Sequence, residues 1–107
     1  MIENTALTES TFYILLALSS PQHGYGIMQS VEQMSNGRVK LAAGTLYGAL
    51  TNLCDKKWIT LLPVEAGSRK KEYQLTEKGY EILINEVARL KELVANADHI
   101  LGENNNG

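Results

Sequence analysis

Three consecutive basic residues, Arg69, Lys70 and Lys71, have the most easily defined chemistry in this sequence. Guanidinium and ammonium groups held close together neutralise the phosphates of a nucleic acid without reading its sequence. The basic run follows the turn residues Ala66-Gly67-Ser68 and precedes a strand-like segment, a pattern typical of a β-hairpin. A solvated surface turn has the same composition, and for an isolated hairpin that alternative is the simpler one.

A second group of candidate binding residues lies on a helix predicted from about residue 43 to residue 57. Leu46, Leu50 and Leu53 recur at helical spacing and predict its buried stripe. The opposite face is small and polar, and it contains Gly44, Thr45, Tyr47, Gly48 and Thr51. Two glycines inside a helix cost roughly 1 kcal/mol each relative to alanine. They leave this face without bulk, which suits a helix that enters the major groove of DNA. A helix that exposes a polar face by default is the alternative.

The elements that would position these groups follow from hydrophobic spacing. A first helix begins after Thr8, a favourable cap, and includes residues 12–18, which are apolar all round and therefore buried on more than one side. A second helix opens at residues 23–26. It ends at residues 36–37, because glycine tolerates the left-handed conformation past a last turn. Residues 39–41 are predicted to be short and extended.

Residues 59–64 and 70–75 have the composition of two short strands, and Pro63 restricts the first of them to a sheet edge. Two helices followed by a basic hairpin form the order of a winged helix-turn-helix, and this order favours DNA binding over a solvated turn. The residues predicted to contact DNA are His23, Tyr25, Ala43, Gly44, Thr45, Tyr47, Gly48, Thr51, Arg69, Lys70 and Lys71.

A final helix is predicted after Thr76, and its apolar residues recur in steps of three and four, as in a coiled-coil seam. About 25 helical residues span roughly 37 Å, so part of this helix must project from so small a domain. A second copy of the chain is the simplest cover for the seam; packing on its own domain is the alternative. The seam begins at Tyr80. The predicted dimer interface comprises Phe12, Leu15, Leu16, Leu83, Val87, Leu90, Val94, Ala97 and Leu101.

The composition is that of an ordinary globular protein, with 107 residues, 44 % apolar and 21 % charged. The net charge is −2, but residues 76–107 hold the acidic excess, with three bases against six acids. A DNA-binding protein needs a basic surface rather than a basic average. The single cysteine, Cys54, fits a reducing compartment. No signal peptide is visible and the longest apolar run is too short to span a bilayer, so we expect a cytoplasmic protein without a membrane partner.

Residues suited to catalysis are sparse. His23 and His99 are the only histidines, and neither lies near a cysteine pair or clustered carboxylates. The sequence has no phosphate loop, zinc-ligand spacing or nucleophile elbow. We therefore predict that the protein is not an enzyme and has no catalytic residues, no metal site and no cofactor. Cys54 and Trp58 are interpreted as core residues, with redox sensing and ligand stacking as their respective alternatives.

Three segments together are similar to a known family. They are His23-Gly24-Tyr25-Gly26-Ile27, Gly44-Thr45-Leu46-Tyr47-Gly48-Ala49-Leu50, and residues 69–79, Arg-Lys-Lys-Glu-Tyr-Gln-Leu-Thr-Glu-Lys-Gly. With the final helix, the chain resembles the PadR-like transcriptional regulators over nearly its whole length, in particular their short subfamily, which includes a lactococcal multidrug-resistance regulator. The chain departs from the family at Trp58, where relatives usually have a glycine. It also lacks the final-helix tryptophan of the multidrug-binding members, so their drug site is not carried over.

The resemblance implies a homodimeric repressor, and relatives respond to small aromatic or cationic compounds or to cell-envelope stress. A twofold dimer matches a palindromic operator in double-stranded DNA. The apolar first helix makes a small hydrophobic or cationic effector in a cavity at the dimer interface one hypothesis; a first helix packed on the partner with no cavity is the alternative. The expected fold is mainly α with a small β-hairpin. A winged helix-turn-helix would occupy residues 1–75, a dimerisation helix residues 76–102 and a disordered tail residues 103–107. The rival function is a winged-helix protein-interaction module that does not bind DNA. Only the DNA-binding function predicts steep salt dependence.

Overall fold

Helices dominate the computed structural model, which describes residues 6–64, 66–67 and 69–105. The elements in chain order are α1 (Glu9–Ala17), β1 (Gln22–His23), α2 (Gly24–Met34), α3 (Ala43–Asp55), β2 (Ile59–Leu61), β3 (Glu72–Leu75) and α4 (Glu77–Asn105). The predicted fold class, mainly α with a small β-structure and a long final helix, is confirmed. The predicted start of a disordered tail at residue 103 is wrong, because α4 continues to Asn105.

The sheet has a strand that the sequence did not reveal. The strand order is β1-β3-β2 with both pairings antiparallel, and β1 places His23 opposite Glu72. A strand of two residues has no alternation to detect. Its pairing attaches the start of α2 directly to the hairpin formed by β2 and β3.

The hairpin strands are shorter than predicted. Strand β2 ends at Leu61, before Pro63, and β3 begins at Glu72, so the basic run lies in the irregular segment that precedes β3. Residues 39–41, predicted to be short and extended, lie in an irregular segment before α3. They are held by Ser35, a buried residue whose hydroxyl oxygen accepts a hydrogen bond from the Val39 N–H at 2.9 Å.

Helices α2 and α3 both end in a left-handed residue that closes a Schellman motif. After α2 this residue is Asn36 (φ 54°), within the predicted stop at residues 36–37; Gly37, on which that prediction rested, is left-handed as well (φ 80°). After α3 it is Lys57 (φ 64°), and the N–H of Trp58 donates back to the Leu53 carbonyl at 3.1 Å. The helix therefore ends at Asp55 rather than residue 57. The left-handed conformation, which favours glycine, is therefore adopted by Lys57. It is not adopted by Trp58, the position at which the resemblance to the family implies a glycine.

The core lies where α1, α2, α3, the first part of α4 and the sheet meet. Its buried members are Ile14, Leu15, Leu18, Ile27, Val31, Leu46, Leu50, Leu53, Trp58, Ile59, Tyr73 and Leu83. The predicted stripe of α3 and the interpretation of Trp58 as a core residue are confirmed. Met34, the last residue of α2, lies outside this core and is exposed.

Helix α4 is joined to the domain at its first turn. The Thr76 hydroxyl accepts the Gly79 N–H at 3.1 Å and donates to the Lys57 carbonyl at 2.7 Å, so the cap of α4 also holds the turn that follows α3. The Thr76 N–H donates to the Trp58 carbonyl at 3.0 Å. A methyl group at Gly79 would overlap the Trp58 carbonyl oxygen, so this contact requires glycine.

We expect Gly79→Ala to lower the free energy of unfolding by about 2 kcal/mol, because the methyl group must displace backbone rather than a flexible side chain. Chemical denaturation measures this. Gly102→Ala is the matched control: it lies in the same helix, and a methyl group there meets no atom of the described residues within 4 Å. The control should gain up to about 1 kcal/mol from helix propensity. Equal effects of the two substitutions would contradict the packing argument.

A buried carboxylate ties the residues before α1 to α4. Glu86 is only 4 % exposed. It accepts hydrogen bonds from the Leu7 N–H at 2.8 Å and from two guanidinium nitrogens of Arg89 at 2.6 and 2.8 Å. The hydrogen bonds from Arg89 lower the pKa of the Glu86 carboxyl; burial opposes them, and the Leu7 N–H adds to the lowering. In the sequence alone, Glu86 is one of the six acids of residues 76–107 and nothing marks it as buried.

We expect Glu86→Gln to reduce stability at pH 7 by about 1 to 2 kcal/mol, since a charge-assisted hydrogen bond is lost. The folded-state pKa lies below the unfolded value of about 4.3. The carboxylate therefore contributes stability that is fully present above that value and is lost as the pH falls through the folded-state pKa. Urea denaturation between pH 3 and 7 should show the two proteins converging at the acidic end. A constant difference across this range would contradict the assignment.

Beyond Leu90, helix α4 leaves the domain. Every residue from 91 to 101 is exposed, and the chain measures 65 × 35 × 20 Å along its principal axes. The projection that the helix length predicted is therefore present. None of the helices in the described part of the chain has the length and apolar character needed to cross a membrane.

Candidate nucleic-acid interface

The outward face of α3 carries two glycines that no packing within the described residues requires. Gly44 and Gly48 are exposed, and a methyl group built on either meets no described atom within 4 Å. Each costs roughly 1 kcal/mol of helix stability relative to alanine. Since nothing inside the described chain fills the space beside them, a requirement for small residues here has to come from a molecule outside it.

Gly44 and Gly48 form an open strip along α3, and Tyr47 turns away from it. Its side chain is 48 % exposed, but its hydroxyl end lies over Gly24 at the start of α2, where a methyl group would overlap it. The Thr51 hydroxyl donates to the Tyr47 carbonyl at 3.0 Å within the helix. The two predicted contact residues on this flank are therefore oriented by the protein, Tyr47 towards α2 and Thr51 towards its own backbone. Ala43 and Thr45 are exposed as predicted.

The start of α2 lies beside the hairpin. His23 occupies the N-cap position of α2, is half-buried and makes no side-chain capping hydrogen bond. Tyr25 in the first turn is 62 % exposed. The pairing of β1 with β3 joins α2 to the hairpin, and the Tyr47–Gly24 contact joins α2 to α3. The three segments predicted to contact DNA are therefore structural neighbours.

The basic run lies on the exposed part of the hairpin. Arg69, Lys70 and Lys71 are all exposed. The pairing of the hairpin continues past β2, since the Leu62 N–H donates to the Glu72 carbonyl at 2.8 Å. Gly67 has a φ of 86°, which supports the predicted turn, although Ser68 lies outside the described residues. The run thus extends from a short, anchored sheet.

The charges around α3 differ between its two ends. Its first turn has no acidic residue, and Lys40 is exposed just before it. Asp55 closes the helix on the side of the glycines and is followed by Lys56, whose ammonium lies 4.7 Å from the Trp58 ring centroid. A helix N-terminus attracts phosphate through its dipole. The electrostatics therefore favour approach of a nucleic acid to the first turns of α3.

Sequence reasoning overlooked Asn52. It is exposed and lies one helical turn after Gly48, on the same outward side of α3. The spacing of four residues from Gly48 would have identified it. Its carboxamide is the one amide side chain in the residues of α3, and such a group has both a donor and an acceptor for base edges.

Cys54 lies partly buried on the inward side of α3. Burial raises the pKa of its thiol, and the nearby Asp55 carboxylate raises it further. Because the thiolate is the reactive form, both effects disfavour the redox-sensing alternative.

A second surface lies between α1 and α4. It is an apolar groove of about 370 Å³ lined by Phe12, Val87, Leu90, Lys91, Val94, Ala95 and Asp98. Of the residues predicted to form a dimer interface, Leu15 and Leu83 are instead buried in the core of the single chain. They belong beneath such an interface rather than in it. Phe12, Leu16, Val87 and Leu90 are half-buried, whereas Val94, Ala97 and Leu101 are exposed together with Tyr80.

Comparison with known proteins identifies the family. The sequence profile of the Transcriptional regulator PadR-like family matches residues 14–85. A PadR-like transcription factor from Bacteroides fragilis is 31 % identical, with 85 % of this chain and 87 % of that chain aligned at a TM-score of 0.68. A PadR family regulator from Clostridium difficile shares the fold at 21 % identity, a TM-score of 0.73, and coverage of 88 % and 99 %.

Two other similarities are more distant or partial. BpsR of Bordetella bronchiseptica, whose DNA binding is regulated by 6-hydroxynicotinic acid, shares the fold at 18 % identity and a TM-score of 0.68, covering 91 % of this chain and 69 % of that one. An uncharacterised 37.1 kDa protein in a transposon of Streptomyces fradiae is 36 % identical over 86 residues, 79 % of this chain. The chain spans about a quarter of that protein, 24 % of its length. From the match over residues 14–85 and the Bacteroides fragilis structure, the chain belongs to the PadR-like family of DNA-binding transcriptional regulators.

Proposed function

We propose that the protein is a transcriptional repressor that binds a palindromic operator in double-stranded DNA as a homodimer. The observation that carries this proposal is the pair of exposed glycines, Gly44 and Gly48, beside which the chain has open space. Helix α3 docks in the major groove along this strip, because a helix without side-chain bulk approaches the groove floor closely. An operator that overlaps a promoter is then blocked for transcription.

The surrounding segments supply phosphate contacts. Arg69, Lys70 and Lys71 lie along one strand of the duplex backbone, and the start of α2, with His23 and Tyr25, meets the backbone on the other side of the groove. Contacts of this kind fix the position of a protein on DNA and add affinity without sequence information. The neighbouring positions of α2, α3 and the hairpin support this division of roles.

Binding of the unmodified protein to the DNA upstream of its own gene tests the proposal. Affinity measured by fluorescence anisotropy between 50 and 300 mM salt should fall steeply, with a log–log slope of roughly −0.9 per phosphate contact. A duplex of equal length from inside a coding region is the control and should bind much more weakly. If neither duplex binds at 50 mM salt, the protein-interaction alternative replaces the proposal.

The distal half of α4 supports the dimer. Val94, Ala97 and Leu101 are apolar, exposed in the single chain and follow the heptad spacing. They adjoin the apolar groove between α1 and α4. A second copy related by a twofold axis covers both surfaces and presents two α3 helices to two half-sites.

We expect Val94→Ala to weaken the dimer by up to roughly 200-fold, since two methyl groups leave the interface in each protomer at about 0.8 kcal/mol each. Val94 is 59 % exposed in the single chain, so the protomer should remain folded. Sedimentation equilibrium measures the change. Val64→Ala is the matched control, because Val64 is 49 % exposed and lies on the hairpin. Equal dimer affinity of the two variants would contradict this interface.

The same interface supports an effector site. The groove of about 370 Å³ has mostly apolar walls, with Lys91 and Asp98 among its lining residues, and a volume of this size holds a small hydrophobic or cationic compound. Such a compound releases DNA only if it binds more tightly to a dimer whose α3 helices are misspaced. A thermal-shift screen followed by operator competition tests this. Compounds that stabilise the protein but leave operator affinity unchanged would show that the groove is not the switch.

A further inference from the structure

We propose that α3 selects A·T base pairs through two short side chains on one flank, with the Thr45 methyl against a thymine methyl and the Asn52 carboxamide on an adenine. The inference rests on the proposed function, since it requires α3 to lie in the major groove. It goes beyond that function by assigning which base pairs the helix prefers and which side chains read them.

The register of the helix supports the pairing of these two residues. Thr45 and Asn52 are seven residues apart, which is about two full helical turns, so both lie along one line of the helix surface. Both are exposed. A rise of about 1.5 Å per residue separates them by about 10.5 Å, close to three base-pair steps of about 3.4 Å each. Two base pairs of one half-site are therefore within reach of a single flank.

Open space beside the glycines explains how such short side chains reach the bases. Threonine and asparagine extend only a few ångströms from the backbone, so α3 must sit deep in the groove for them to touch base edges. Gly48 lies between the two along the helix and Gly44 lies next to Thr45, and neither meets a described atom within 4 Å where its side chain would be. The strip of glycines allows this approach.

The opposite flank of the strip is engaged inside the protein. The Tyr47 hydroxyl end lies over Gly24, and the Thr51 hydroxyl donates to the Tyr47 carbonyl at 3.0 Å. The flank of Thr45 and Asn52 is therefore the one that is directed to the bases.

The side chains of α3 also fit A·T pairs better than G·C pairs. Guanine is most often read by the bidentate fork of arginine or by lysine, and α3 contains neither residue. Asparagine matches the N6 donor and N7 acceptor of adenine, and an apolar methyl matches the thymine 5-methyl. Asp55, a candidate acceptor for the cytosine amino group, lies at the last turn, beyond Asn52 and at the negative end of the helix dipole.

The test begins with the full chain and a library of duplexes with 20 randomised base pairs, from which bound duplexes are selected and sequenced. In a selected duplex, single thymines are then replaced with uracil, which lacks only the methyl group, and single adenines with 7-deazaadenine, which lacks the N7 acceptor. We expect uracil at one position per half-site to weaken binding roughly fourfold, the value of one buried methyl group. We expect a loss of at least fivefold for 7-deazaadenine about three steps away, since a bidentate pair becomes single.

Two variants connect each base to its side chain. Thr45→Ser should abolish the uracil penalty while keeping the 7-deazaadenine penalty, and Asn52→Ala should do the reverse. Thr60→Ser, at an exposed threonine of β2, is the matched control and should keep both penalties. Circular dichroism checks that each variant is folded.

The outcomes separate this inference from the proposed function. A library that yields enriched duplexes whose affinity is unaffected by uracil and 7-deazaadenine at every position overturns the reading of A·T pairs but leaves sequence-specific binding intact. Enrichment of guanine at the positions expected to carry thymine and adenine would likewise overturn the reading of A·T pairs and leave sequence-specific binding intact. A library without enrichment overturns both proposals.

Discussion

Replacing Arg69, Lys70 and Lys71 with alanine should weaken binding to every duplex alike and reduce the salt slope by up to about 5, from six lost phosphate contacts per dimer. At 0.15 M salt this corresponds to a loss of up to roughly 10⁴-fold, most of the electrostatic part of the affinity. All three side chains are exposed on the hairpin, so the fold should be unaffected. Fluorescence anisotropy over a salt series measures both affinity and slope.

A matched pair of single substitutions shows whether position or total charge matters. Lys71→Ala and Lys78→Ala remove the same charge from exposed lysines seven residues apart, the first on the hairpin and the second on α4. Only Lys71→Ala should reduce the slope, by about 1.8 for two contacts per dimer. If both variants behave alike, net charge rather than the hairpin controls binding. Unchanged affinity of the triple variant at low salt would reject the hairpin as a phosphate-binding element.

The features of this fold that the sequence predicted well are those with local causes. The buried stripe of α3 repeats at helical spacing, and the caps at Thr8 and Thr76 form hydrogen bonds within three residues of themselves. Residues 36 and 37 end α2 with φ of 54° and 80°, the left-handed conformation that the glycine of this pair predicted. Each of these signals involves residues within one or two helical turns of one another, so the local sequence is enough to predict the feature.

The features that the sequence did not predict depend on distant partners. Strand β1 exists only because β3 lies beside it, about 50 residues along the chain. The end of α3 at Lys57 could not be recognised from its own residue type, since lysine rarely adopts a left-handed backbone. Glu86 is buried because Arg89 and the N–H of Leu7 surround it, and the second of these lies 79 residues away.

The heptad seam shows a related limit. Spacing identified Leu83 and Val94 as equivalent positions, yet Leu83 is buried in the core of its own chain and Val94 is exposed. A periodic apolar pattern indicates that something packs on that face of the helix. It does not show whether the packing surface belongs to the same chain or to a partner chain. The division occurs near Leu90, where α4 passes the edge of the domain. The exposure of Gly44, Thr45 and Gly48 on α3 was easier to predict, because small residues opposite a buried leucine stripe have no role in the core.

Changing Gly48 to leucine should abolish specific DNA binding while making the helix itself more stable. The substitution removes a glycine from the interior of α3 and should raise the free energy of unfolding by about 0.8 kcal/mol, since the new side chain enters space without described atoms within 4 Å of its Cβ. On DNA the same side chain occupies the strip through which α3 approaches the groove floor. We expect operator affinity to fall to the level of non-specific binding, at least roughly 10³-fold.

A graded series makes this prediction sharper. Gly48→Ala adds one methyl group and should cause a smaller loss of affinity than Gly48→Leu, while both raise stability. Ala88→Leu is the matched control, because Ala88 is exposed on α4 and leucine there adds bulk away from the groove. Operator titration combined with urea denaturation separates the two effects. A stabilised Gly48→Leu protein with normal operator affinity would show that α3 does not dock through this face, since no close contact with DNA accommodates a leucine at that point.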